Sequence, residues 1–220
     1  MDGARGRISV VVPVHEDAAT LRQLADRLAS ALAGNDWRLR LVIDASADES
    51  TAVARALAAR SPRISVGGLT QSGGGDDALV RGLAVEADAD AWVCLDAGLT
   101  DPPEEIPRML DRLWRGDVGA VFAARPGGCP RPLLGLRHRL TGLPAGAGRF
   151  VAMAASVRDA VLTAVQDAGA PCVALAVTRS GAALATVPVP RGRRPAPRGL
   201  VGVRHSARSV AWAVRAAQGR

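Results

Sequence analysis

Lysine is absent from this 220-residue chain, and asparagine occurs once, at Asn35. All 28 basic side chains are therefore arginines, and with 21 acidic residues the formal net charge is +7. Such a bias toward arginine is typical of a GC-rich coding sequence as well as of an anion-binding surface. The charge favours nucleotides, phosphorylated lipids, nucleic acid or an acidic membrane face as partners without choosing among them.

Aromatic residues and cysteines are also few. Aromatics make up 3% of the chain, so the core has to come from the aliphatic residues that bring the apolar share to 48%. The three cysteines, Cys94, Cys129 and Cys172, are widely spaced, which argues against a disulfide framework and a Cys-x-x-Cys zinc site. No apolar run approaches the ~18 residues of a membrane-spanning helix. We expect a cytoplasmic protein that is at most peripheral to a membrane.

Apolar runs and helical periodicities alternate through the first 125 residues or so. Runs at 8–14, 39–43, 64–66, 91–95 and 118–123 predict strands, and the segments between them predict helices. This order is typical of an α/β fold, a doubly wound and mostly parallel sheet with helices on both faces. Farther on, we predict helices at 133–140, 157–165 and 203–217 and strands at 173–177 and 183–189.

Two aspartates follow predicted strands, where an α/β sheet binds its ligands. Asp44 follows the second strand and Asp96 the fourth. His15 follows the first strand and is either a general base or, the favoured interpretation, a solvent-facing loop residue. Glycines at 73–75 precede a helix, but Asp76 and Asp77 at its start would repel an anion. A structural turn is therefore favoured over a phosphate cradle.

Four segments occur in a recognisable order: VVVPV at 10–14, DASAD at 44–48, LDAGLTDPPE at 95–104 and GRFVAM at 148–153. The chain resembles the family 2 glycosyltransferases of the Rossmann-like GT-A fold, in particular the dolichyl- or polyprenyl-phosphate mannose synthases. In that family the third segment reads Leu-Asp-Ala-Asp-Leu-Gln-Asp-Pro-Pro-Glu and the fourth Gly-Asp-Phe-Arg-Leu-Met. The resemblance implies a nucleotide-sugar-binding domain at 1–190, with a basic loop and C-terminal helix at 191–220 packed on or near it.

The resemblance also implies a nucleotide-sugar site at the carboxyl edge of the sheet. There an Asp-x-Asp loop would hold Mg²⁺ or Mn²⁺ on the diphosphate, and Asp96 is the remaining metal ligand of that loop. The positions that correspond to catalysis are Asp96, Asp101 and Arg149. The positions for the nucleotide are Pro13, Val14, His15, Asp17, Asp44, Gln71, Asp96 and Ala97. The positions for an anion or the acceptor are Arg125, Arg131, Arg194 and Arg198.

Several of these positions depart from the family pattern. Gly98 replaces the second aspartate of Asp-x-Asp, Ile43 replaces one aspartate of an Asp-Asp pair, and Gln71 replaces an arginine. Arg149 replaces the aspartate expected to activate the acceptor, which reverses the charge there. Two hypotheses follow: a divergent transferase with no need of the usual metal, which is slightly favoured, or a catalytically inactive module that binds a nucleotide or a partner protein.

The acceptor and other partners are less well defined by the sequence. The first hypothesis takes a polyprenyl phosphate or a small molecule as acceptor. The arginines of the 191–198 loop, together with Arg204, Arg208 and Arg215, favour contact with an anionic lipid or membrane surface. Nucleic acid ranks below these partners because the basic segments lack the interleaved aromatics of a stacking platform.

Overall fold

The structure is a computed structural model of the chain, and it describes residues 6–68, 73–124, 141–144 and 146–190. Seven strands and six helices lie within these residues. The strands are β1 (Ile8–Val14), β2 (Trp37–Ile43), β3 (Ile64–Gly68), β4 (Ala91–Cys94), β5 (Ala120–Ala124), β6 (Val151–Ala154) and β7 (Leu184–Pro188). The helices are α1 (Leu21–Ala31), α2 (Ser50–Arg60), α3 (Gly75–Val85), α4 (Ile106–Leu113), α5 (Ala155–Ala168) and α6 (Val173–Thr178), with a 3₁₀ turn at Pro103–Glu105 before α4.

The strands form one sheet in the order β3-β2-β1-β4-β6-β5-β7. The first four strands in this order are parallel to one another, and β7 is parallel to β5. Only β6 runs against its neighbours, because it lies antiparallel between β4 and β5. The predicted mostly parallel α/β sheet is confirmed. The antiparallel strand was not predicted, and it brings the residues before Val151 to the carboxyl edge of β4.

Helices cover both faces of the sheet, as predicted. On one face the buried side chains of α1, α2 and α4 pack on alternate residues of β1 and β2. On the other face α3, α5 and α6 pack on the intervening residues, such as Val11 and Val42. Helix α3 lies close to the sheet because Gly82 has no side chain. A Cβ there would collide with Cγ1 of Val11 and approach Cγ2 of Val42 to 3.2 Å.

One predicted strand is wrong. Residues 173–177 form most of the helix α6, and all five side chains are buried. A short, fully apolar run has no periodicity that separates a buried strand from a buried helix. The helix begins where the Val173 N–H donates to Oδ1 of Asp76 at 3.0 Å. The helices predicted at 133–140 and 203–217 lie outside the described residues.

The remaining differences are small shifts of element ends. The predicted strand at 118–123 begins at Ala120, and the one at 91–95 ends at Cys94. The predicted helix at 157–165 is the centre of α5. In the part of the chain that the structure describes, no helix combines the length and apolarity needed to cross a bilayer.

Candidate functional site

A cavity of about 280 Å³ lies at the carboxyl edge of the sheet, where β1, β2 and β4 end and α3 begins. The loops after β1, β2 and β4 and the start of α3 form its walls. Arg149, in the turn before β6, completes the lining. Open cavities in this position are where α/β sheets bind ligands. The lining residues are Pro13, His15, Asp17, Asp44, Gly74, Gly75, Asp96, Ala97, Gly98 and Arg149.

Most of the residues singled out from the sequence meet in this cavity, but some do not. Val14 is completely buried behind it. Asp101 is 1% exposed and does not line it. Five further positions lie outside the described residues, namely Gln71, Arg125, Arg131, Arg194 and Arg198. Two glycines at the start of α3 line the cavity although the sequence favoured a structural turn there. The sequence signal for them was the glycine run at 73–75, which precedes a helix.

His15 connects the loop after β1 to the loop after β2. Its Nδ1–H donates to the backbone carbonyl of Asp44 at 2.7 Å, and its own N–H donates to Oδ2 of Asp17 at 3.0 Å. The hydrogen bond to the carbonyl, with the nearby carboxylates of Glu16, Asp44 and Asp17, raises the pKa of His15 above its usual value despite partial burial. The imidazole therefore favours its protonated form in this cavity more than in water.

The same two loops are joined by further hydrogen bonds. Glu16 N–H donates to Oγ of Ser46 at 3.2 Å, and Asp17 N–H donates to Oγ of Ser50 at 2.9 Å. Glu16 and Ala45 both adopt positive φ angles, 55° and 41°, which non-glycine residues rarely do. The cross-loop bonds hold these strained residues in place. The first two loops are therefore a rigid wall of the cavity.

Asp44 extends this wall to the third loop. Its carboxylate is buried, with 3% of the residue exposed, and Oδ1 accepts the N–H of Gly73 at 3.1 Å. A buried carboxylate needs such donors, because leaving it without them would cost several kcal/mol. Asp44 thus fixes the glycine segment that leads into α3.

Asp101 holds the turn that follows β4. Its Oδ2 accepts the backbone N–H of Asp96 at 3.1 Å from a site that is almost completely buried. Leu99 within the turn has a φ of 57°, another left-handed non-glycine residue. Asp101 therefore keeps a strained turn closed, and it orients Asp96, the carboxylate that faces the cavity.

Arg149 lies beside Asp96. Its Nη2 is 3.5 Å from Oδ1 of Asp96, with side-chain exposures of 35% and 17%. The pairing of β4 with β6 explains this contact, since Cys94 lies opposite Val151. Asp96 and Arg149 each lie two residues beyond this pair, outside the strands, in the turns that the pairing brings together. The guanidinium also lies against the bare Cα of Gly75, because a Cβ there would collide with Nη1.

The residues present do not fit the divalent metal that the resemblance implies. Mg²⁺ and Mn²⁺ need several oxygen ligands, whereas position 98 has no side chain and Asp96 is paired with a guanidinium. Asp17 and Asp44 each accept a backbone N–H. Among the described residues, no group of three or more His, Cys, Asp or Glu side chains could hold an ion.

The sequence matches a family model. The model of glycosyl transferase family 2 matches residues 9–153, well over half of the chain. The dolichol-phosphate mannosyltransferase of Pyrococcus furiosus is 32% identical over 115 residues, which are 52% of this chain and 32% of that protein. An undecaprenyl-phosphate 4-deoxy-4-formamido-L-arabinose transferase of Pseudomonas aeruginosa is 34% identical over 122 residues, 54% of this chain and 36% of that one. The chain thus spans about a third of the length of these curated relatives.

Solved structures share the fold over nearly the whole chain. A mannosyltransferase from Pyrobaculum calidifontis, in complex with GDP-Man and Mn²⁺, superposes with a TM-score of 0.68 at 19% identity. That match covers 98% of this chain and 65% of the other. The glucosyl-3-phosphoglycerate synthase from Mycobacterium tuberculosis, in complex with Mn²⁺, UDP and glucosyl-3-phosphoglycerate, gives 0.65 at 20% identity and covers 94% and 78% of the two chains. The GT-A fold is confirmed.

Proposed function

Since the chain belongs to glycosyl transferase family 2, we propose that it binds a nucleotide sugar in the cavity at the carboxyl edge and transfers the sugar to an acceptor. The observation that supports this most strongly is the composition of the cavity. Six of the eight residues that the family resemblance assigns to the nucleotide come from the ends of three separate strands and the loops after them, and they line one space of about 280 Å³. Binding residues are expected on such loops, held by a rigid sheet.

The lining residues suit the two halves of a nucleotide sugar. Asp17 and Asp44 offer acceptor oxygens, which can bind the N–H groups of a base or the hydroxyls of a ribose. Arg149 offers a guanidinium, and Gly74 and Gly75 lie at the N-terminus of α3, and both features favour phosphate. We therefore orient the nucleoside toward the loop after β2 and the diphosphate toward Arg149.

This orientation also suits group transfer. When the glycosyl bond breaks, negative charge develops on the departing diphosphate, and fixed positive groups beside it lower the barrier. The rigid first two loops would hold the nucleoside so that the sugar carbon stays aligned with the acceptor. The carboxylate of Asp96, oriented by Asp101, faces the region where the sugar would lie.

For the acceptor we propose a polyprenyl phosphate. Two relatives that are 32% and 34% identical over about half of this chain are named for dolichol phosphate and undecaprenyl phosphate. The net charge of +7 supports contact with an anionic lipid at a membrane surface. A small-molecule acceptor is the other possibility that the sequence left open.

A second candidate function is a non-catalytic module that binds a nucleotide or a partner protein. The replacement of two family carboxylates by Gly98 and Arg149 favours it, because these positions would hold the metal and activate the acceptor. Binding of a nucleotide sugar without any transfer would support this module. Transfer that depends on Asp96 would exclude it.

The test combines binding with turnover. Calorimetric titration of UDP, GDP and dTDP sugars should give saturable binding for one nucleotide, and a short-chain polyprenyl phosphate should then receive the sugar in a radiolabel transfer assay. Asp96→Asn should abolish transfer, whereas the matched control Asp26→Asn, at an exposed position of α1, should leave it unchanged. No binding across the panel by folded protein would refute the proposal.

A further inference from the structure

We propose that Arg149 is the cation that binds the diphosphate in this site, so that the chain binds a nucleoside diphosphate group without a divalent metal. This inference rests on the proposed function, because it specifies how the same cavity holds its anionic ligand. It starts from the disagreement between the residues present and the metal that the family resemblance implies. The charge that a metal would bring is supplied here by a side chain of the protein.

The position of the guanidinium is the first argument. Arg149 lines the cavity beside Asp96, in the turn two residues before β6 begins. The backbone beside it is anchored, because Phe150 and Val151 are almost completely buried and the Ala123 N–H donates to the Phe150 carbonyl at 3.0 Å. The guanidinium is therefore carried by a turn that is tied directly to the sheet.

The second argument is that the guanidinium has donors to spare. Its contact with Asp96, at 3.5 Å, is a loose ion pair. Within the described part of the chain, the Arg149 guanidinium donates no hydrogen bond to a protein acceptor. Arginine carries five N–H donors in a planar fork, which matches two phosphate oxygens at once. About a third of the side chain is exposed to solvent and the residue lines the cavity, so a ligand can reach these donors.

Two glycines make this arrangement possible. Gly75 leaves the space that Nη1 occupies, because a Cβ at that position would collide with it. Gly98 lacks the second carboxylate of the Asp-x-Asp pattern, which would bind a metal ion or neutralise the arginine. The replacement of an aspartate by arginine at 149 and the loss of the aspartate at 98 therefore act in the same direction. Both lower the negative charge of the cavity, in which Asp17, Asp44 and Asp96 are the remaining carboxylates among the lining residues.

The charges around the guanidinium support this conclusion. The N-terminus of α3, at Gly74 and Gly75, adds partial positive charge on the same side of the cavity. Asp76 in the first turn of α3 accepts the N–H of Val173, so that Oδ1 is directed at α6. Asp77 is exposed and lies against Gly73. A phosphate must displace the carboxylate of Asp96 from the Arg149 guanidinium. A diphosphate carries more negative charge than a monophosphate and therefore competes better for the guanidinium.

The test is calorimetric titration of UDP or GDP, whichever the full chain binds, in excess EDTA and in excess MnCl₂. The wild type should bind equally well, within about 2-fold, in both. Arg149→Gln should bind about 10- to 100-fold more weakly in both, because it loses charge-assisted bonds. Arg149→Lys should fall between the two, since a point charge cannot form the fork. The control Arg38→Gln, which removes an exposed charge at the amino edge of β2, should bind like the wild type.

A double variant gives the reverse test. Gly98→Asp with Arg149→Asp restores both carboxylates, and it should bind the nucleotide in MnCl₂ but not in EDTA. Equal binding by this variant in both conditions would overturn the inference. So would wild-type binding that EDTA abolishes, or an Arg149→Gln variant with wild-type affinity. In each of these cases the proposed function stands, whereas a wild type that binds no nucleotide under either condition refutes both.

Discussion

Adding one methyl group at Gly75 should separate the binding role of Arg149 from the stability of the fold. A Cβ at Gly75 would collide with Nη1 of Arg149 and lie at an ordinary 3.8 Å from Cβ of Pro13. Because Nη1 is the far end of a flexible side chain, the guanidinium can swing away while the backbone stays in place. We expect Gly75→Ala to break the Arg149–Asp96 contact and to leave the strands and α3 unchanged.

The effect on folding should be small because two contributions oppose each other. Gly75 is the first residue of α3 and is not among the glycines with positive φ, so alanine fits the backbone there. Alanine also restricts the unfolded chain, which stabilises the folded protein by about 0.4–1 kcal/mol. The partly exposed ion pair that is lost is worth about 0.2–1 kcal/mol. The free energy of unfolding should therefore change by less than about 1 kcal/mol.

The effect on binding should be much larger. A nucleotide would lose the charge-assisted bonds of the displaced guanidinium, about 1.5–3 kcal/mol, which corresponds to about 10- to 100-fold weaker binding. Urea unfolding and calorimetric titration of the same protein measure the two quantities. Gly148→Ala is the matched control, because it is adjacent to Arg149 and its Cβ would meet nothing within 4 Å. Wild-type affinity in Gly75→Ala would refute the reasoning, as would a loss of stability of more than about 2 kcal/mol.

Two further predictions concern the sheet and its first loop. Gly82→Ala should lower the free energy of unfolding by about 1–3 kcal/mol in urea, because the new Cβ collides with Val11 under a buried helix, and an unchanged urea midpoint would contradict this packing. The pKa of His15 is raised in the folded protein, so its contribution to stability is present below the unfolded pKa and is lost as the pH rises through the folded one. His15→Gln should therefore lower the Tm more at a pH near 5.5 than near 8.5, and an equal loss at both pH values would count against the hydrogen bond to Asp44.

Much of the fold could be predicted from the sequence, because the central strands β1, β4 and β5 are largely apolar runs whose residues are almost all buried. β1 is the clearest case, with seven buried residues followed directly by the cavity-lining loop. The direction of a strand is not encoded in its residues, so the antiparallel β6, only four residues long, was not predicted. The prediction of a strand at α6 failed for a related reason, since five consecutive buried apolar residues show neither a helical nor a strand periodicity.

Part of the candidate site could be predicted from the sequence and part could not. Asp44 and Asp96 could be predicted because carboxylates directly after buried strands must lie at the ligand edge of a parallel sheet. The contact between Asp96 and Arg149 could not, because it depends on the β4–β6 register across 53 residues of chain. Gly75 was assigned a structural role because two aspartates follow it, and the sequence does not reveal that Asp76 is directed at Val173.

The antiparallel register of β6 has a consequence for how substitutions in this site act on one another. Because the turns that flank β4 and β6 bring residues 96 and 149 together, a replacement at either position changes the charge that the other one meets. Two aspartates in these places would repel each other unless a cation lay between them. An arginine at 149 pairs with Asp96 within the protein, so this pair needs no bound ion. The effect of a carboxylate at position 98 therefore depends on which residue stands at 149.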